Sequence, residues 1–440
     1  MKKVVFRIGV LSAVFLSFLL ASSVNVYAEP MSKNEYKKSI SITDRMFEST
    51  KVGENAILAK SGTVNFSKSQ IVKSGDDNSR EDEYHYGTNA AVLSIDSSKI
   101  KIINSTIMTN GKNSSAAVAY GDSTIDISSD TAITTKKEGS TAAKAVDGGT
   151  IILDGVEIET DVSEGAMIVD GGSIKIDNSK FETNTVVSIH NSSAKSMDDE
   201  ASIVSVNMTD IKNKKGDVFF VTNASARISL ERTTLANDDK DGAILRIAAS
   251  KWGKKNNNGG DVDFTTKYQP MEGVLRVDGL SVLRLNLLQR SSLYGAINPD
   301  NKAKRVDLML DMKSRLILTE DSYVSTLLNE VRDNANIYAN GHKLFVNGAE
   351  AKINIGKWEE WEYDFSTETT ELMKPVVEEE PEDKTALYVM LGISSGAFLL
   401  SLLSVFVIIR INRSKKQRQA EKDAILRVKN NIMKKPWEKA

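Results

Sequence analysis

The sequence predicts an all-β solenoid, a parallel β-helix, followed by one C-terminal transmembrane helix. Three observations carry this. Short glycine-containing or polar turns recur at a regular interval: Asp96-Ser97-Ser98-Lys99, Gly121-Asp122-Ser123-Thr124, Asp147-Gly148-Gly149-Thr150 and Asp170-Gly171-Gly172-Ser173. Each turn lies between short runs of alternating apolar residues, such as Ile100-Lys101-Ile102 and Ile174-Lys175-Ile176. Finally, Ala386 to Ile409 is an uncharged apolar stretch of 24 residues.

Alternation within each run is the period-2 signal of a strand buried on one face. With Ile100, Ile125, Ile151 and Ile174 taken as equivalent, the spacings are 25, 26 and 23 residues. Strands this short cannot bury themselves singly, but stacking each unit on the one before does so. Most units close with a third strand, as at Thr106 to Thr109, Val156 to Thr160 and Lys180 to Thr183. Three short parallel sheets are therefore expected, with Gly-Gly pairs at corners needing positive φ and Ser and Thr stacking in corner ladders. Residues 55–350 would hold about twelve coils rising about 4.8 Å each.

The flanks are read in order. Lys2, Lys3 and Arg7, the apolar run Ile8 to Ala21, and Val26-Tyr27-Ala28 make residues 1–28 a signal peptide cleaved before Glu29. Residues 29–54 are a lead-in or N-terminal cap. Residues 351–373, with Trp358 and Trp361, cap the other end, and 374–385 form an acidic linker. Residues 386–409 are long enough to cross a bilayer core of roughly 30 Å. The basic tail 410–440 begins Arg410, Arg413, Lys415, Lys416 and Arg418, so the tail is expected in the cytoplasm and the solenoid outside the cell. Within the tail, Ala424 to Val428 could form an amphipathic helix on the inner leaflet.

Composition narrows the chemistry. The chain has 440 residues, a net charge of −2, no cysteine and three histidines. Thiol catalysis, thiolate metal sites and a global nucleic-acid-binding field are excluded. No cofactor and no metal site is expected.

The stretch Phe220 to Val346 resembles right-handed parallel β-helix proteins of the pectate-lyase-like superfold, and among them adhesin-like surface proteins of Gram-positive bacteria. The matching elements are Lys215 to Asn223, Gly259-Gly260-Asp261-Val262, Ser291 to Asn298, Leu316 to Val324 and Asn336 to Val346. Such relatives usually carry Trp-x-Leu-Thr-Gly-Asp-Ser-Tyr where this chain reads Leu316-Ile317-Leu318-Thr319-Glu320-Asp321-Ser322-Tyr323. The resemblance implies right-handed winding and a surface role, and supplies no catalytic residues.

Catalytic candidates are thin. Asp238, Asp239 and Asp241 could pair as glycosidase carboxylates, but they also read as a solvated turn. Arg227, Arg246, Arg276 and Arg284 could line a lyase face, or be ordinary exposed strand charges. Asp76-Asp77-Asn78 and Asp198-Asp199-Glu200 lack a calcium-loop spacing, and His342 belongs to a turn. Ligand contact is assigned instead to aromatics in two polar insertions: Tyr84 and Tyr86 in 75–87, and Trp252 in 251–260. The expected function is a membrane-anchored, adhesin-like surface protein that binds an extracellular glycan or other surface ligand without catalysis. The alternative is a membrane-anchored polysaccharide lyase or glycoside hydrolase.

Overall fold

Among the described residues strand after strand pairs in parallel with its counterpart about one coil later. The computed structural model describes residues 30–78, 86–161, 165–191 and 201–356. Among them the secondary structure is strand, broken by a 3-10 turn at Arg332–Asn334. The register pairs Ile100 with Ile125, Ile125 with Ile151 and Ile151 with Ile174, so the spacing seen in the sequence is the coil length. The signal peptide, the residues from 357 onward, the membrane span and the tail lie outside the described residues. Among the described residues no helix is long and apolar enough to cross a membrane.

The column through these isoleucines runs Ile40, Val64, Ile100, Ile125, Ile151, Ile174, Val204, Ile228, Phe264, Leu285, Leu308 and Leu327. At about 4.8 Å per step these twelve positions rise roughly 50 Å. The stack begins early: Met31–Ser32, Glu35–Tyr36, Ile40–Thr43 and Met46–Ser49, in the segment read as a lead-in, form its first coil. Ile57, Val64 and Ile71, from the three faces of one coil, belong to a single continuous core. Burial of such columns, at about 25 cal/mol per Å², is what holds short strands together.

Two sheets, rather than three, make up the main wall. The first and second faces join into an 18-stranded sheet and the third face is a 13-stranded sheet, which from Pro270–Val277 onward takes in the second face as well. The cause is the corner between the first two faces. It is turned by one left-handed residue in most coils, Asp44, Lys68, Asn104, Gly155, Asn178, Met208, Arg232 and Tyr268, and by two, Ser129 and Asp130, in the coil of Thr124–Thr135, with φ between 46° and 64°. A single such residue bends the chain without breaking the ladder. Its N–H still donates to the next coil, as Lys68 does to the Ile103 carbonyl at 3.2 Å and Met208 to the Glu231 carbonyl at 3.0 Å. Thr124–Thr135 and Thr150–Thr160 consequently run around the corner as single strands.

A hydroxyl ladder lines the same corner. Ser105 Oγ accepts from the Ser69 N–H (3.0 Å), and Thr131 Oγ1 from the Ser105 N–H (3.3 Å). Ser179 Oγ likewise accepts from the Val156 N–H (3.2 Å), and Thr209 Oγ1 from the Ser179 N–H (3.4 Å). Each hydroxyl in turn donates to a carbonyl two or three residues back in its own coil. Buried amides at the bend are thereby satisfied, and leaving each unpaired would cost about 1–3 kcal/mol.

The Asp-Gly-Gly corners divide the work between their glycines. Gly148 and Gly171 have φ of 90° and 66°, as positive-φ corners require. Gly149 and Gly172 serve a different need. A Cβ on Gly149 would stand 2.1 Å from the Ala119 carbonyl oxygen, and one on Gly172 would stand 2.6 Å from Ala145 backbone. The second glycine lets adjacent coils close.

One inward position breaks the pattern. Lys73 stands in register between Ser49 and Thr109, in a column that continues through Thr135 and Thr160. The whole side chain is buried, and its Nζ donates to the Lys51 carbonyl at 2.7 Å. Burial pushes its pKa down to about 8, against the opposing pull of Glu54 and Asp77. Between that value and the unfolded lysine value, the unfolded chain holds a proton that the folded chain has lost. Stability therefore rises with pH across the window from about 8 to 10.5, by up to about 3 kcal/mol. Lys73→Thr, which restores the residue of the neighbouring coils, is expected to remove that rise. Denaturant unfolding of both proteins at pH 7.5 and 10 checks it, and an unchanged slope in the variant would refute it.

Candidate ligand-binding surfaces

The two insertions are outgrowths of single coils. Most coils take 19–26 residues; the one from Ser179 to Thr209 takes 30, and those bridging Ser69 to Ser105 and Thr233 to Gln269 take 36. Both fold back onto the outside of the third face. The first is pinned at its start. Asp76 Oδ1 accepts from the Lys112 N–H (2.8 Å) and from Lys137 Nζ (2.9 Å), and these hold its carboxyl below the usual range. Asp77 donates its N–H to the Lys112 carbonyl at 2.9 Å. Tyr86 packs edge-on against Tyr120 with centroids 5.3 Å apart. Ala90 then joins Leu58, Leu93 and Val118 in a small core outside the sheet. Tyr84 lies outside the described residues.

The second insertion is organised by asparagines. Asn258 Nδ2 donates to the Ser250 and Trp252 carbonyls, at 2.7 and 2.8 Å. The Asn223 N–H donates to the Asn258 carbonyl, and Asn223 Nδ2 to the Asn191 carbonyl, so Asn191, Asn223 and Asn258 climb one corner coil by coil. Trp252 is 8% exposed and stacks on His190, with centroids 4.3 Å apart and planes 11° from parallel. Lys251 Nζ lies 5.2 Å from the same ring. The indole is a packed base for its loop, and the rim around it carries Lys251, Lys254 and Lys255. The structure does not bring Tyr86 and Trp252 together. Tyr86 precedes the strand Val92–Ser94 and Trp252 follows Leu245–Ile247, and five strands of the third face lie between these two.

The residues considered for catalysis are dispersed and internally paired. Asp239 closes its own turn, accepting from the Gly216 and Asp241 N–H groups at 2.8 and 3.0 Å, which hold its carboxyl low. The four arginines lie on two faces. Arg227 and Arg284 belong to an outward column on the first face that alternates in sign, Arg227, Asp263, Arg284, Asp307, and Arg284 is bonded to Asp261 and Asp263. Arg246 and Arg276 are neighbours on the third face, where Arg246 Nε pairs with Asp217 at 2.7 Å and Arg276 reaches Asp300 at 3.6 Å. His342 sits in its turn with Nδ1 4.0 Å from Asp321. Among the described residues no group of three or more His, Asp or Glu is placed to hold a metal ion.

Sequence reasoning missed a polar groove among the described residues. A groove of about 430 Å³ runs along the first face near the N-terminal end, lined by Ser41, Thr43, Asn65, Ser67, Lys101 and Ile103. Its polar groups are set in pairs by the coil register: Asn65 Nδ2 donates to Ser41 Oγ at 3.2 Å and Ser67 Oγ to Thr43 Oγ1 at 2.9 Å. Lys101 is held from the other side by Asp126 at 3.5 Å. The signal lay in the outward positions of the alternating strands, which read Ser, Thr, Asn, Ser and Lys there. No protein-family model, curated protein or solved structure matches the chain.

Proposed function

We propose that this chain is a membrane-anchored, adhesin-like surface protein. Its solenoid, of the right-handed pectate-lyase-like kind, would hold an extracellular glycan or other surface ligand without turning it over. One observation carries the reading: the outward columns of the first face put hydroxyl, amide and ammonium groups at coil spacing around an open groove. A sugar chain offers hydroxyls at a similar repeat, and each neutral hydrogen bond adds about 1 kcal/mol. Lys101 adds a charge suited to an acidic sugar. Tyr84, Tyr86 and the loop that Trp252 supports supply further contacts along the same molecule, and several weak contacts add by avidity. The resemblance to Gram-positive surface proteins, the signal peptide and the basic-flanked apolar segment support display outside the cell.

The test is binding of the full-length protein in detergent to immobilised neutral and uronate polysaccharides, with product analysis of the same mixtures. Binding without new reducing or unsaturated ends is expected. Asn65→Ala with Lys101→Ala is expected to weaken it about tenfold or more. Release of cleaved product, or binding indifferent to both changes, would overturn the proposal.

A further inference from the structure

The two ends of the solenoid are finished differently. At the C-terminal end, residues 349–354 cross the stack. Ala349–Glu350 pairs antiparallel with Leu344–Val346, and Asn354 bridges to Tyr338. At the N-terminal end, Met31–Ser32, Glu35–Tyr36, Ile40–Thr43 and Met46–Ser49 each pair on one side only among the described residues. Natural sheet edges are usually guarded by charge, proline or a bulge. The strand at its middle reads Ser39-Ile40-Ser41-Ile42-Thr43, without charge or proline. Around it Met31, Ile40, Met46 and Val52 are 58%, 39%, 60% and 56% exposed.

We infer that this edge pairs with the same edge of a second copy, end to end, about a two-fold axis perpendicular to the direction in which the coils stack. Cleavage before Glu29, as the sequence predicts, leaves two residues ahead of Met31, too few to fold back over four strands. A head-to-tail contact would need the other end open, and residues 349–354 cross that end. A two-fold through Ser41 lays Ile40–Thr43 antiparallel to itself. It sets Ile40 opposite Ile42 of the second copy and Lys38 opposite Asp44, apolar against apolar and positive against negative. The same axis carries Met46–Ser49 of one copy over Glu35–Tyr36 of the other. The C-terminal ends of the two solenoids then point in opposite directions. Resting on the anchoring proposed above, the pair joins molecules on facing membranes. A single edge contact is weak, and many copies on a surface strengthen it by avidity.

The chain has no cysteine, so single cysteines report the contact cleanly. Ser41→Cys in the full-length protein in detergent is expected to oxidise to a covalent dimer. Ser229→Cys, equally exposed on the same face at mid-stack, is expected to stay monomeric. Adding Met46→Lys, an exposed position whose change leaves the core intact, or Ile40→Lys is expected to cut the cross-link at least tenfold. Equal cross-linking at positions 41 and 229, or indifference to Met46→Lys, would overturn the inference. Vesicles carrying the full-length chain with the solenoid outward are expected to aggregate, and Met46→Lys vesicles to stay dispersed. Cross-linking without aggregation would uphold the edge pairing and defeat the facing-membrane arrangement. Loss of the polysaccharide binding described above would leave both results standing.

Discussion

Phe66→Ala is expected to cost about 3–5 kcal/mol, with the loss concentrated in the first coils. Phe66 is 1% exposed and plugs the N-terminal end of the core. It meets Tyr36 edge-on at 5.7 Å and Phe47 at 5.2 Å, with planes 72° and 85° apart. These three rings close the core beneath an edge below which no further coil stands among the described residues. Each edge-on pair adds roughly 0.5–1.5 kcal/mol beyond area burial, and truncation removes both. A solenoid's stability is close to a sum of coil and nearest-neighbour terms, so the damage stays local. Hydrogen exchange is the suitable measurement. Protection should fall first in Ile40–Thr43 and Met46–Ser49 while Val282–Leu288 keeps its own. Uniform loss along the stack would show that the coils unfold as one unit and would contradict the local account. The cysteine cross-link at position 41 should disappear in the same variant, because it needs an ordered first coil.

What the sequence exposed and what it hid divide along physical lines. Coil length was legible because Ile100, Ile125, Ile151 and Ile174 are buried at every turn, and burial constrains residue type. The corner ladder was legible because a side-chain oxygen must sit between adjacent amides, and Ser69, Ser105, Thr131, Ser179 and Thr209 supply it as hydroxyls; the amide oxygen of Gln269 in the same column was not legible. The merging of two faces was not legible. It depends on left-handed residues that include Lys68, Met208, Arg232 and Tyr268, and no side-chain preference marks them. The double role of Gly-Gly was half legible, since positive φ is a local property and close coil approach is not.

The binding surfaces follow the same division. Trp252 drew notice as an aromatic in a polar loop, but its partner His190 sits two coils earlier, and only coil stacking brings them together. The groove around Asn65 and Lys101 was hidden for the opposite reason: its residues are the ordinary polar half of an alternating strand. Lys73 occupies a position held by threonine in the coils above. Only the register shows that it points inward, where its charge makes stability depend on pH.

The second large effect is expected at Gly295. This residue lies in the strand Ser292–Ile297, between Gly273 on one side and Leu318 on the other. A Cβ there would stand 1.7 Å from the Gly273 carbonyl oxygen. The obstacle is backbone, and it cannot swing aside as a side chain would. Gly295→Ala must therefore push two coils apart, and the cost is expected at or above the roughly 3 kcal/mol typical of severe overpacking. Gly121→Ala is the matched control. Gly121 has φ of 64° and open space where its Cβ would be, so alanine there meets only the left-handed penalty of about 1–2 kcal/mol. Denaturant unfolding of the two variants separates close coil approach from backbone conformation. If Gly121→Ala proved as damaging as Gly295→Ala, conformational freedom alone would explain the glycines. The expected order, with Gly295→Ala clearly worse, identifies the obstruction as the carbonyl oxygen of the coil before.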